Sequence, residues 1–320
     1  MPNEGQSPSA SPVGPTRPLA VCSWSLRPRS PGELVRLVRA TGLSAVQLAL
    51  DPVARGEWKE DETFERLRDA GIHVVSAMLA PAGEDYSTLE SIRATGGVRH
   101  AEAFAANLRA AHQIADICAR HSIPLCTLHA GAVPDRGPER DAMIARLARM
   151  VRAFHDPDAG RRIAVAFESG QETAEGMVSL LGEVRAALEG TPAAKATIGV
   201  NFDPANIILY GIGDPLAAFR GVQGDVLQVH IKDARATDTP GTWGTETPAG
   251  QGQVPWPEFL AAVRAACPDA GLVIEREGGE TRVEDVREGA VLVSRLLGAG
   301  GHASHGKPTA GSPGGDASNG

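Results

Sequence analysis

Closely spaced cysteines are missing from this chain. Cys22, Cys118, Cys126 and Cys267 stand far apart with no CxxC pair, mostly in apolar surroundings, so buried thiols are expected rather than disulfides or metal ligands. No uncharged apolar run approaches the roughly 18 residues that cross a bilayer. The first residues, MPNEGQSPSASPVGPTRP, lack the basic start and apolar middle of a secretory signal. Cytoplasm is the expected location, with no membrane partner. An excess of positive charge is absent too: the formal net charge is -8, which argues against a nucleic-acid partner. No GxGxxG turn follows the first strand-like run, which disfavours a dinucleotide-binding open sheet.

Apolar residues make up 42% of the 320, enough for a sizeable core. Residues 1–17 and 299–320 are rich in Ser, Pro and Gly and are expected to be disordered tails. His302 and His305 in the second tail are expected to be solvated. Between the tails, from 18 to 298, short strand-like runs alternate with amphipathic helical runs, the signature of βα units around a parallel sheet. Strands are predicted at 19–23, 45–50, 73–79, 124–129, 163–168, from 198, 226–232 and 272–275. Eight strand-helix pairs in about 280 residues fit a single (β/α)8 TIM barrel of the α/β class.

The stretch IGVNFDPAN, Ile198 to Asn206, is the most informative. An apolar run closed by Asp-Pro ends a buried strand, because proline cannot continue the ladder and disfavours helix in the residue before it. Asp203 then stands at the strand end. IAVAFE, VLQVH and GLVIE close in the same way on Glu168, His230 and Glu275. Chemistry in such a barrel gathers at the C-terminal ends of strands. Strands five to eight therefore bring three carboxylates and one imidazole to one mouth. A divalent cation relieves their repulsion, and oxygen ligands plus one imidazole suit Mn²⁺, Mg²⁺, Co²⁺ or Zn²⁺. Taken singly, each acid reads equally as a helix cap or a surface charge.

The motifs FESG at Glu168, NFDPAN at Asp203, VHIKDA at His230 and IEREGG at Glu275 resemble the sugar phosphate isomerase/epimerase family of the xylose isomerase-like barrel superfamily, over most of residues 19–297. The resemblance implies that Glu168, Asp203, His230 and Glu275 hold one divalent metal ion. It also implies that Glu168 and Glu275 move protons next to a carbonyl of a sugar or polyol, through a metal-stabilised enediolate. An inosose dehydratase-like lyase and a non-catalytic sugar-binding barrel are the alternatives it leaves. An endonuclease IV-like activity is disfavoured, since Asn206 stands where that family has a second metal-binding histidine. Asn206 also departs from the histidine that several ketose epimerases use to hold substrate.

His129 in TLHAG, Lys232 after the histidine ligand and Arg276 after the last glutamate are expected, with Asn206, to meet substrate. Trp24 reads either as a wall of the sugar site or as packing. The loop from Glu246 to Trp256 carries glycines that permit close backbone approach to the mouth. GEDYS, from Gly83 to Ser87, sits in a long loop placed to act as a lid. A homodimer is expected by analogy with related barrels.

Overall fold

A computed structural model describes residues 18–299. The expected tails, with His302 and His305, lie outside the described residues, apart from Ala299. The last helix, Arg282–Ala299, takes in Ala299.

Eight parallel strands close into a barrel: β1 (Ala20–Cys22), β2 (Ala45–Ala49), β3 (His73–Met78), β4 (Leu125–Leu128), β5 (Ala164–Glu168), β6 (Ile198–Phe202), β7 (Val226–Ile231) and β8 (Gly271–Ile274). Each pairs with its neighbours in chain order and β8 returns to β1, with Ala20 opposite Val273. Helices follow the strands around the outside, as expected. Their ends carry ordinary local signals. The helix Pro31–Thr41 starts with Ser30 accepting from the Glu33 N–H and proline in its first turn, and stops at Gly42 in the left-handed region.

Alternation along the strands sets what faces where. In β6, Phe202 turns outward, where its ring stands 5.5 Å from that of Phe219 and 5.9 Å from that of Phe259. Its neighbour Asn201 turns inward. The main apolar core lies between the barrel and its helices. A small separate cluster of Ala20, Cys22, Ala45 and Val273 fills the barrel interior. Cys22, Cys118 and Cys126 are buried free thiols, and Cys267 is half-buried and free. None of the described helices is long and apolar enough to cross a membrane.

The differences from expectation are local. The first strand stops at Cys22 and passes into a 3-10 turn, Ser23–Leu26, which carries Trp24 to the mouth. Part of the long loop after β3 is helical, Leu89–Thr95, fixed by a reciprocal cap between Thr88 and Ser91. Two short helices, Pro204–Leu209 and Pro215–Val222, occupy the space between β6 and β7.

At one point the mouth loops interlock. Gly97 and Gly131 both have positive φ, and a Cβ on either would overlap backbone of the other loop. Only glycine satisfies both demands. Gly131→Ala is therefore expected to cost about 3 kcal/mol, from a strained φ and a backbone clash together. A denaturant titration would check it; a midpoint within error of the wild type would mean the loops part freely.

Candidate metal centre

Glu168 ends β5, Asp203 follows β6, His230 lies in β7 and Glu275 follows β8. One donor atom from each lies within 4.8 Å of the others. All four are buried, and Asp203 and His230 have no exposure. The imidazole Nδ1 of His230 stands 3.2 Å from Glu275 Oε2, 3.8 Å from Glu168 Oε2 and 3.9 Å from Asp203 Oδ2. Oxygen and nitrogen ligands at about 2.1 Å from a small divalent ion lie about 3 to 4.2 Å from each other, so this spread fits one ion.

The ring orientation is set from behind. Gln47 Oε1 can only accept, so with an ion on Nδ1 the remaining ring proton would sit on His230 Nε2, 2.9 Å away, and donate to Gln47. Nδ1 would then offer its lone pair on the side of the carboxylates, the second-shell arrangement that fixes a metal-binding tautomer. Gln47 is held in turn: its amide donates to Thr127 Oγ1, and Gln228 donates to its oxygen. Ser76 donates to Gln228 Oε1, and Asn201 Nδ2 donates to Glu168 Oε2. A polar layer thus fills the barrel below the carboxylates. Its members stand alone as polar letters in AVQLA, HVVSAM, LCTL, IGVNF and VLQVH, a signal that marks inward positions but not their partners.

Asp203 resolves the choice between helix cap and ligand by being shaped for both. Its Oδ1 accepts from the N–H groups of Ala205 and Asn206 at 2.8 and 3.1 Å, capping the helix that Pro204 begins. Its Oδ2 is buried with no hydrogen bond. Glu275 divides likewise: Oε1 accepts from Trp24 Nε1 at 2.6 Å, and Oε2 is buried without a hydrogen bond. Lys232 Nζ does lie 3.0 Å from Glu275 Oε2, but off the hydrogen-bonding axes. Buried unsatisfied carboxylate oxygens are costly and rare. Two of them converging beside the His230 imidazole make a donor set that a hard or borderline divalent cation fits.

The charges respond to one another. Burial pushes the Asp203 carboxyl up to about 8, with Lys232 opposing and Glu275 and Glu168 adding to the rise. Burial also opposes ionisation of Glu275, yet Lys232 and His230 outweigh it and hold this carboxyl well below its usual range. For His230 burial acts downward, but Glu275 and Glu168 lift the imidazole to about 9. Two carboxylates about 4 Å apart repel by about 4 kcal/mol at an effective dielectric of about 20, so positive charge at this point is strongly favoured.

The other expected residues divide. His129 lines the cavity, with Nε2 3.7 Å from Glu168 Oε2 and Nδ1 3.1 Å from Glu84 Oε1. Burial lowers its imidazole, but Glu84 and Glu168 raise it well above its ordinary value. Glu84 comes from the GEDYS loop and also accepts from the Gly97 N–H, so that loop is tied to the mouth; Tyr86 OH reaches both Glu84 and His129. Asn206 lines the cavity while donating to Glu168 Oε1 and to the Ser169 carbonyl. Lys232 is buried, 2.6 Å from Glu277 Oε2 and 3.7 Å from Asp203 Oδ2. Trp24 both walls the cavity and anchors Glu275.

Arg276 is placed differently from these. It does not line the cavity; its guanidinium turns to Glu246 at 2.8 Å and Asp285 at 2.7 Å, behind the mouth. Glu246 and Asp285 hold it there, and side-chain direction past a strand end is not readable from spacing. The glycine loop also acts indirectly. It wraps the buried carboxylate of Asp233, which accepts from the N–H groups of Ala234, Gly250, Gly252 and Val254 and from Trp256 Nε1. Asp233→Asn would replace an acceptor by a donor facing N–H groups, at an expected cost of about 3 kcal/mol. Thermal denaturation measures it; an unshifted melting temperature would show that the loop is held by other contacts.

The sequence profile described as xylose isomerase-like TIM barrel matches residues 35–294. The chain belongs to that family. Among solved structures similar to this xylose isomerase-like barrel is a xylose isomerase domain protein from Planctomyces limnophilus, 25% identical, covering 90% of this chain and 99% of that one, with a TM-score of 0.73. A xylose isomerase-like TIM barrel protein from Mycobacterium smegmatis, solved in complex with magnesium, is 16% identical over 89% of this chain and 97% of that one, TM-score 0.65. D-allulose 3-epimerase from Methylomonas sp., solved with D-allulose, is 12% identical over 88% and 98%, TM-score 0.61. No curated protein matches the chain in sequence. Among the described residues of this xylose isomerase-like barrel, the donor clusters are the four-residue set and Cys22 with His230 and Glu275, which shares two of its members. No histidine set for further ions accompanies them there.

Proposed function

We propose that residues 18–298 form one catalytic domain, a divalent-metal-dependent isomerase or epimerase that moves a proton next to the carbonyl of a sugar or polyol derivative. One observation carries the reading: four side chains from successive strands converge beside a cavity of about 460 Å³ that Glu168 and Glu275 line, and two of the four have buried oxygens that accept no hydrogen bond. Glu168, Asp203, His230 and Glu275 would hold one ion, of Mn²⁺, Mg²⁺, Co²⁺ or Zn²⁺. When bound, the ion supplies positive charge that polarises the carbonyl and stabilises the developing oxyanion. The relatives solved with magnesium and with D-allulose support that class of ion and substrate by analogy.

The remaining work falls to the chain. Glu168 acts as base on the carbon-bound proton, its carboxylate aligned by Asn201 and Asn206. Burial opposes the charge on Glu168, but His230 and His129 together outweigh it, so the carboxyl stays below its usual range and ready to accept. Glu275, fixed by Trp24 and ionised at rest, would pass to carbon a proton it takes up from solvent or a substrate hydroxyl on its own side: at the same carbon this inverts the centre, at the neighbour it isomerises. His129, braced by Glu84, offers Nε2–H toward substrate oxygen beside Glu168. Lys232 balances Glu275 and Asp203 and lines the cavity as a donor to a hydroxyl.

The test is solvent deuterium incorporation into ketoses by the metal-loaded protein, with product analysis. Exchange with formation of an epimer or isomer supports the reading. Loss of water from the product would make the enzyme a lyase. Metal binding with no exchange on any ketose or inosose would leave a binding protein and sink the proposal.

A further inference from the structure

The charge lining the cavity restricts what enters it. Glu84, Glu168, Glu172, Glu246, Glu275 and Glu277 face the space, against Lys232 and His129 as the cations among the described lining residues. Both cations are engaged. Lys232 lies 2.6 Å from Glu277 and 3.0 Å from Glu275, and His129 lies 3.1 Å from Glu84. Arg276, the nearest guanidinium in sequence to the ligands, is turned away to Glu246 and Asp285. With a divalent ion bound, carboxylates still exceed cations here. Apart from the ion, a phosphate or carboxylate on the substrate would find only cations already paired with carboxylates and would meet like charge in a low-dielectric space.

The unused polar groups have the opposite character. Gln171 Oε1 is buried with no partner, and Glu172 makes no hydrogen bond to another side chain among the described residues. Both lie on the rim after β5 and both accept; burial pushes Glu172 up to about 7, and its carboxyl retains an accepting oxygen in either state. Groups that accept are matched by hydroxyls. Met78, Ile92, Leu209, Tyr210 and Trp243 add an apolar part to the lining, with the rings of Tyr210 and Trp243 4.8 Å apart. Such a lining suits the C–H face of an unsubstituted sugar.

We infer that the cavity takes an uncharged polyhydroxy ketone whose remote end carries free hydroxyls, read by Gln171 and Glu172, and that it rejects phosphorylated and carboxylated counterparts. The choice of a ketone rests on the proton-transfer reading. The preference for a neutral ligand rests on the lining alone.

Calorimetric binding to the magnesium-loaded full chain tests this, with a panel of ketopentoses and ketohexoses each paired with its terminal phosphate ester. At least one neutral member is expected to bind ten-fold or more tighter than its ester. Equal or tighter binding of the esters overturns the inference, as does binding of neither class. Glu172→Lys, checked for an unchanged fold by circular dichroism, is expected to narrow the ratio at least three-fold by weakening the neutral ligand and strengthening the ester; an unchanged ratio overturns the electrostatic basis. Deuterium exchange measured on the same samples separates the two claims. Neutral preference without exchange sinks the isomerase reading and spares this one, and exchange on a preferred ester does the reverse.

Discussion

Glu275→Gln is expected to lower solvent deuterium incorporation by at least about 1,000-fold, the usual loss when a positioned general acid-base group is removed. The change is nearly isosteric. The amide oxygen can still accept from Trp24 Nε1, which holds the side chain at 2.6 Å. What disappears is the charge facing Lys232 at 3.0 Å and His230 at 3.2 Å. Lys232 keeps Glu277, so the fold should survive with a loss of about 1 to 3 kcal/mol. Glu168→Gln should abolish exchange to a similar degree, because its two oxygens accept from Asn206 and Asn201 and one of those bonds must break. Exchange followed by mass spectrometry, beside a melting curve for each variant, separates lost chemistry from lost fold. A folded variant with full exchange would remove its glutamate from the mechanism.

Asp203 allows the metal role to be parted from the structural one. Asp203→Asn keeps an oxygen for the Ala205 and Asn206 N–H groups but removes the charge from the position of Oδ2. It is expected to weaken metal binding by at least about 100-fold, more than the 10- to 100-fold typical of a lost outer-shell partner. Without metal its stability should fall little, since a buried carboxyl that already resists ionisation becomes neutral. Asp203→Ala should lose the same affinity and a further ~1 kcal/mol of stability from the missing cap. Competition titration with a chelating dye measures the first effect and chemical denaturation the second. If both variants bound metal as the wild type does, Asp203 would be a cap alone.

What was legible before any coordinates was the part written locally. Strand ends announce themselves by Asp-Pro after an apolar run, and the parallel order of β5 to β8 follows from chain order, so Glu168, Asp203, His230 and Glu275 could be brought to one mouth. What stayed hidden depends on chain returning from a distance. Glu84 meets His129 across 45 positions through a loop whose path follows the interlocked Gly97 and Gly131. Arg276 points away because Glu246, 30 residues earlier, folds back beneath it. Asp233 gathers N–H donors from a loop 17 to 21 residues further on. The polar layer under the site was visible as lone letters in apolar strands, but pairing Gln47 with His230 across 183 positions needed the closed barrel.

The central claim is that one divalent ion sits among these four side chains. Protein stripped with a chelator, dialysed against Mg²⁺ or Mn²⁺ and analysed for bound metal should hold close to one ion per chain, with Asp203→Asn and His230→Ala holding almost none. A wild-type chain that takes up no ion, or variants that retain it fully, would contradict the account.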